Sequence, residues 1–369
     1  MIPEIVAGLL PAAVLLDGQN LVAPFRKVLE PITTAPSNDF TILVPLYGDP
    51  KYLRNEAYLS RYRENVLLVI NTATEVMAAF AERKEKEGWR VARASGDARH
   101  SPAHMMIIGL EHVTTTYVIR LDGDTETIEH PGAAIAAMSA DSADFCSVKV
   151  VPTSRATIAE KLQGVEYDMA MLARHNAPWM TSGACMMGRT DAWQRIMERH
   201  SLYFFGEDVE SGRLAKWLGM RVRHIDFAAY TDVPQTFRAL FRQRRGWWCG
   251  AFRQTIINAD KNLRFPIWSL YYLGLVYLLL AGKLNATLTD PTVLPTLTLV
   301  YVVLTLLANW PVRSRWMIVF PFYSLAQALV MPAVGFVHWV RVLASTRAHG
   351  RYRISTLRTL IPALSRRAS

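Results

Sequence analysis

Short apolar runs rich in β-branched residues recur through the first two-thirds of the chain, separated by segments of helical period. "TILVP" (41–45), "NVLLVI" (65–70), "TYVIRLD" (116–122) and "DFCSVKVV" (144–151) each have the length of a strand. "TEVMAAFAERKEKEG" between them reads as a helix that stops at Gly88. Strands alternating with helices in this way predict an α/β domain with a mainly parallel sheet, spanning residues 37–235. "SGACMMGR" (182–189) reads by itself as a further edge or buried strand, bounded by Ser182 and Arg189. "FFGEDVESGRLAKWLGMRV" predicts a helix opening after Gly206 and ending at Gly219, with Leu214, Trp217 and Leu218 on its apolar face.

The pattern changes after Pro234. Placed on a helix, Phe237, Phe241, Trp248, Phe252 and Ile256 form an apolar stripe, and Gln243 and Trp247 share a different face. Residues 236–264 are therefore expected to be amphipathic interface helix. Three apolar segments follow, at about 266–282, 293–310 and 316–342, each near or beyond the ~18 residues of a spanning helix. Tyr271, Tyr272, Trp310 and Trp316 lie near their ends, as interfacial anchors would. The expectation is a transmembrane region over 265–345 and a basic tail over 346–369. Pro321 and Pro332 leave open a re-entrant third segment, and with it the side on which the tail lies. The N-terminal segment, 1–36, is apolar for only about 15 residues and is broken by Pro11, short of a span, so it reads as an interfacial or packing helix.

Charge sharpens this division. The chain carries 41 Lys and Arg against 31 Asp and Glu, a net +10. Residues 341–369 hold seven arginines and no acid, and residues 236–264 hold seven basic residues against Asp260. The domain before them is net acidic. Basic segments flanking an apolar region suit anionic lipid headgroups, and an acidic domain argues against nucleic acid as a partner. Cys146, Cys185 and Cys249 are far apart and odd in number, and read as reduced, buried thiols of a cytosolic domain at a bacterial-type inner or plasma membrane.

Candidate chemistry centres on "RLDGDTE". Asp122 and Asp124 stand two apart at a strand end, so both carboxylates can face one ligand, and oxygen donors suit Mg²⁺ or Mn²⁺. An ordinary Asp-Gly turn fits the same residues about as well. Glu207, Asp208 and Glu210 fall in a first helical turn, where the dipole alone accounts for acids.

The order of these pieces is more specific than any one of them. A strand ending in Asp-x-Asp, a Ser-Gly strand, a helix opening on Glu-Asp, and "TDVPQTFRALFRQRRGWW" before apolar helices resemble the family 2 glycosyltransferases of the GT-A fold. The likeness is strongest to the processive, membrane-bound branch, which includes cellulose, chitin, hyaluronan and nodulation chitin-oligosaccharide synthases. The resemblance implies an inverting transfer from a nucleotide-diphosphate sugar, UDP-linked above all, to a glycan or lipid-linked acceptor. It implies Asp208 as general base, Asp122 and Asp124 at the nucleotide and its metal, and Ser182, Gly183 and Glu207 at the acceptor. Gln243 and Trp247 would close over the diphosphate and stack on the acceptor sugar. Asn71 stands where an acid usually meets the base, and Arg99 where relatives carry lysine. Gly246 replaces the arginine of Gln-x-x-Arg-Trp, and Arg245 would reach that place only through a local distortion. A β-linked polymer or oligosaccharide is the favoured product. Single transfer to a lipid-linked acceptor and a catalytically weak scaffold subunit are the alternatives, with a homo-oligomer or an accessory subunit as further partners.

Overall fold

The computed structural model describes residues 20–94, 101–202, 205–257 and 292–344. The strands are β1 (Phe40–Leu46), β2 (Val66–Asn71), β3 (Arg90–Ala94), β4 (Tyr117–Leu121), β5 (Thr125–Thr127), β6 (Phe145–Pro152), β7 (Cys185–Arg189) and β8 (Val222–Thr231). The helices are α1 (Glu56–Leu59), α2 (Glu75–Lys86), α3 (Pro102–Leu110), α4 (Pro131–Asp141), α5 (Ile158–Asn176), α6 (Thr190–Arg199) and α7 (Glu207–Trp217). Then come α8 (Phe237–Ile257), α9 (Val293–Ala308) and α10 (Phe320–Ala344).

All four strands expected from the apolar runs are present, and their apolar character on successive positions has a simple cause. In β1, Phe40, Ile42, Val44 and Leu46 enter one core, while Leu43 enters the core on the opposite face. In β2, Val66, Leu68 and Ile70 divide from Leu67 and Val69 in the same way. Met77 and Phe80 of α2 cover the first face, as do Ala134 and Met138 of α4. Met105 and Met106 of α3 cover the second, with Trp193 of α6, whose fully buried ring meets Phe145 edge-on at 4.8 Å. The three cysteines are buried, as expected, and none is in a disulfide among the described residues.

The sheet is mixed, which corrects the mainly parallel expectation. Its order is β3-β2-β1-β4-β7-β6-β8-β5. β3, β2, β1 and β4 run parallel, as do β6 and β8. β7 is antiparallel to both its neighbours, and β5 to β8. An apolar strand pattern is the same for either direction, so strand polarity was not readable from it. The reversal of β7 matters because it brings the start of that strand beside the end of β4.

Among the described residues no helix is long and apolar enough to cross a membrane, which corrects the transmembrane expectation for two of the three segments. α9 has 16 residues, a length of about 24 Å against a hydrocarbon core of about 30 Å. α10 has 25 residues but carries Ser324, Gln327, His338 and Arg341, and it packs along α8. It also runs through Pro332 without a break, so the re-entrant reading falls too. The segment at 266–282, residues 1–19 and the tail from 345 onward lie outside the described residues.

α8 is held by two glycines. A Cβ on Gly246 would lie 2.8 Å from the ring edge of Phe205, and one on Gly250 would lie 2.8 Å from the Phe205 backbone carbonyl. Phe205 therefore sits against a glycine-floored stretch of α8, immediately before the helix that opens at Glu207. On the other side Gly335 of α10 abuts Trp248, which is half-buried between the two helices. Gly250→Ala is expected to lower the melting temperature. Overpacking against backbone costs about 1–3 kcal/mol and exceeds the gain in helix propensity of about 1 kcal/mol. Gly246→Arg is expected to lower it as well, although it restores the arginine of the related motif. Thermal unfolding checks both, and an unchanged or raised midpoint for Gly250→Ala would refute this account of the packing.

Candidate active site

Arg120 organises the floor of the site. It lies in the otherwise apolar β4 and is 3% exposed. A buried guanidinium needs several partners, and this one has them on three elements. It donates to the carbonyl of Gly183 and to Glu207 Oε1 at 3.2 Å, and pairs with Asp122 Oδ1 at 3.2 Å. The end of β4, the start of β7 and the start of α7 are joined by that single side chain. Nothing in the resemblance pointed to Arg120; a lone arginine inside "YVIRL" was the signal available.

The turn after β4 is pinned by backbone. Asp122 N–H donates to Ala184 O at 3.0 Å, across to the β7 side. Asn55 Nδ2 donates to Asp122 O at 3.1 Å and Thr125 O at 2.6 Å. A Cβ on Gly123 would lie 2.6 Å from Tyr52 O, so the close approach needs glycine here. The turn reading of "DGD" is realised, and the fixed turn places both carboxylates on one cavity.

That cavity has a volume of about 1010 Å³. Asp122, Asp124, Ser182, Gly183, Glu207 and Asp208 line it, together with Gln243, Arg245 and Trp247. The sequence-predicted constellation thus meets in one place, with two exceptions. Asn71 is buried at the end of β2, its Oδ1 accepting from Ala73 N–H at 3.0 Å, and it is not among the lining residues. Arg99 lies outside the described residues.

Asp208 is positioned by β7. Gly183 N–H donates to Asp208 Oδ2 at 2.8 Å, and Thr181 Oγ1 donates to Asp208 O at 2.6 Å. Gly206, at φ 79°, sets the entry angle of α7 in a left-handed conformation that glycine adopts at little cost. Ser182 Oγ caps its own turn, accepting weakly from Ala184 N–H at 3.4 Å. Arg245 is exposed at the rim, whereas Arg244, which the motif comparison passed over, is 2% exposed and lines the cavity. Its guanidinium lies 3.8 Å from the ring centroid of Trp247, and Nη2 donates to Glu166 Oε2 at 2.7 Å. Trp247 is 46% exposed, so the arginine covers one face of an otherwise open ring.

Crowded acids raise each other's affinity for protons. Burial, then the Asp208 carboxylate, pushes Glu207 up to about 8 against the opposing pull of Arg120. Asp122 is pushed up to about 6 by burial, with Arg120 opposing and the Asp124 and Asp208 carboxylates adding to the rise. Asp124 is raised by burial and by Asp232, with Arg54 opposing. No group of three or more His, Cys, Asp or Glu suited to holding a metal occurs among the described residues. Two mutually repelling carboxylates at one mouth nevertheless fit a hard divalent cation that completes its shell with substrate phosphate and water.

The Glu207 shift has a consequence for stability. Between its ordinary value of 4.5 and about 8, the folded protein holds a proton that the unfolded chain has released, so stability falls as pH rises through that window. Glu207→Gln is expected to flatten the fall. Melting temperatures of both proteins from pH 4 to 9, on the order of the window itself, check it, and parallel curves would refute it.

Comparison with known proteins fits this geometry. No curated protein matches the chain. PcManGT, a mannosyltransferase from Pyrobaculum calidifontis solved with GDP-Man and Mn²⁺, is similar with a TM-score of 0.63 at 14% identity, over 92% of this chain and 99% of that one. Residues 1–349 of TarS from S. aureus, solved with UDP-GlcNAc, give a TM-score of 0.40 at 13% identity, over 81% of this chain and 91% of that one. At such identity the likeness to the first establishes the fold alone, which is GT-A-like. The family model described as glycosyl transferase family group 2 matches residues 117–342. That match covers more than half of the chain and takes in β4, β7, α7 and α8, and the protein is a member of glycosyltransferase family group 2.

Proposed function

We propose that the protein transfers a sugar, with inversion, from a nucleotide-diphosphate sugar to an acceptor hydroxyl, at a membrane face. The observation that carries the mechanism is Asp208, fixed through one oxygen by Gly183 N–H in the cavity that Asp122 and Asp124 also enter. Its other oxygen remains available to take a proton from the acceptor hydroxyl as that oxygen attacks the anomeric carbon. Asp124 and Asp122 would hold Mg²⁺ or Mn²⁺, which supplies charge neutralisation for the departing diphosphate. Glu207, bridged to Arg120, orients the acceptor side, and Gln243 with Trp247 roofs the site.

Two acceptors fit this reading. A growing β-linked glycan is the one favoured by the Gln-x-x-x-Trp segment and its processive relatives. A lipid-linked acceptor is favoured by the outer surfaces of α9 and α10, where Leu299, Val303, Leu307, Phe322, Val330 and Val337 are exposed. Apolar side chains on one side of helices whose other side lines a polar cavity suit seating in a lipid interface without a crossing helix.

Asp208→Asn is expected to reduce transfer by about 10²–10⁴-fold while nucleotide affinity stays near the wild-type value. Asp124→Asn is expected to weaken metal-dependent nucleotide binding itself. Nucleoside-diphosphate release, screened over common donors with Mg²⁺ or Mn²⁺, and calorimetric titration with UDP and GDP check both. Equal turnover by wild type and Asp208→Asn would remove the base assignment.

A further inference from the structure

The rim of the cavity carries an ion pair that the proposed chemistry leaves without a role. Arg54 Nη1 donates to Asp232 Oδ2 at 2.7 Å, joining the segment before α1 to the end of β8. Asp232 lines the cavity and follows Thr231, whose Oγ1 donates to Asp124 Oδ1 at 3.4 Å. Arg54 is itself anchored to the turn between the two aspartates, its backbone N–H donating to Gly123 O at 2.6 Å. The guanidinium is thereby held near Asp124. Burial raises the proton affinity of that carboxylate, and the Arg54 charge is the main influence opposing the rise.

The pair does little for stability. Arg54 is 55% exposed and Asp232 40%, and water screens an attraction between side chains so open. The guanidinium also has an edge to spare. Nη1 makes the only hydrogen bond of the Arg54 side chain among the described residues. Nε–H and one N–H of Nη2 lie parallel along a single edge of any arginine, and here that edge is unengaged. Two parallel donors match two oxygens of a phosphate.

The buried arginines of the cavity are placed differently. Arg120 is divided among Asp122, Glu207 and the Gly183 carbonyl, and Arg244 is paired with Glu166 beneath the Trp247 ring. Neither can turn to a ligand without giving up a partner that its burial demands. Arg54 can meet one and keep Asp232. Asp122, Asp124 and Asp232 also set three carboxylates along the cavity, more negative charge than one divalent cation offsets. A diphosphate entering there needs a further positive charge from the protein.

We propose that Arg54 binds the diphosphate of the nucleotide-sugar donor through its Nε and Nη2 edge, with Asp232 holding Nη1 to aim it. The proposal rests on the glycosyltransferase reading and adds a residue to the donor side of that same site.

The test is calorimetric titration of the purified full chain with UDP and GDP in the presence of Mn²⁺. Arg54→Gln is expected to weaken binding of the nucleotide that wild type prefers by about tenfold or more, the loss of one charge-assisted fork. Asp232→Asn, whose amide oxygen still accepts from Nη1, is expected to stay within about threefold of wild type. The double variant, Arg54→Gln with Asp232→Asn, leaves the net charge of the rim unchanged and is expected to lose as much as Arg54→Gln alone. Melting temperatures of all three are expected to stay near that of wild type, because the pair is exposed. Binding by Arg54→Gln within about threefold of wild type overturns the proposal. Recovery of wild-type affinity in the double variant overturns it as well, since Arg54 would then act only through its long-range field. Equal losses in the two single variants would reduce the pair to a tether between the α1 segment and β8. Failure of wild type to bind either nucleotide would overturn the glycosyltransferase reading and this assignment with it, a result distinct from tight binding that the variants leave untouched.

Discussion

Arg120 holds a charge where the fold has no room for one. Desolvating a guanidinium in the middle of a sheet is tolerable only if its donors are met, and they are met by Asp122, Glu207 and the Gly183 carbonyl. Each partner belongs to a different element, so the same interaction that satisfies the arginine fixes the relative positions of β4, β7 and α7. Gly183 in turn hands its N–H to Asp208, and the chain of contacts runs from a strand interior to that carboxylate. The acids around it are held close enough to raise one another's proton affinity. That crowding is a cost in the free protein, one that a bound cation would relieve.

The roof depends on a different constraint, the absence of side chains. Gly246 and Gly250 let Phe205 lie directly against α8, and Gly335 lets α10 close on Trp248. Phe205 immediately precedes the Gly206 cap of the helix that carries Asp208, so the helix bearing Gln243 and Trp247 is registered against that carboxylate through one residue. Seen this way, glycine at position 246 is a packing requirement of this chain. A guanidinium does line the cavity two residues earlier, at Arg244, where it is paired with Glu166.

Much of the site was legible in the residues. The Asp-x-Asp at a strand end, the Ser-Gly strand and the Glu-Asp helix start are local signatures, each set by a turn or a cap that the sequence writes directly. Gly206 and Gly219, both at positive φ, bound α7 as the sequence predicts. Arg120 and Arg244 were not singled out because a buried charge looks the same in a sequence as a solvated one. Asn71 was carried into the site by analogy, whereas in this chain its Oδ1 accepts from the turn that follows β2.

The long apolar segments show where a one-dimensional reading stops. Hydropathy along 293–310 and 316–342 predicts spans because it counts apolar residues without regard to side. In three dimensions the same segments are two-faced helices, with Tyr301, Thr305, Ser324 and Gln327 on a cavity and Leu307, Phe322 and Val337 exposed. The sequence by itself determined the strands, the caps and the carboxylates, because those depend on neighbours within a few positions. Only the tertiary structure decided the direction of β7, the burial of Arg120 and Arg244 and the faces of the last helices. Each of these depends on residues far apart in the chain that compete for the same desolvated space.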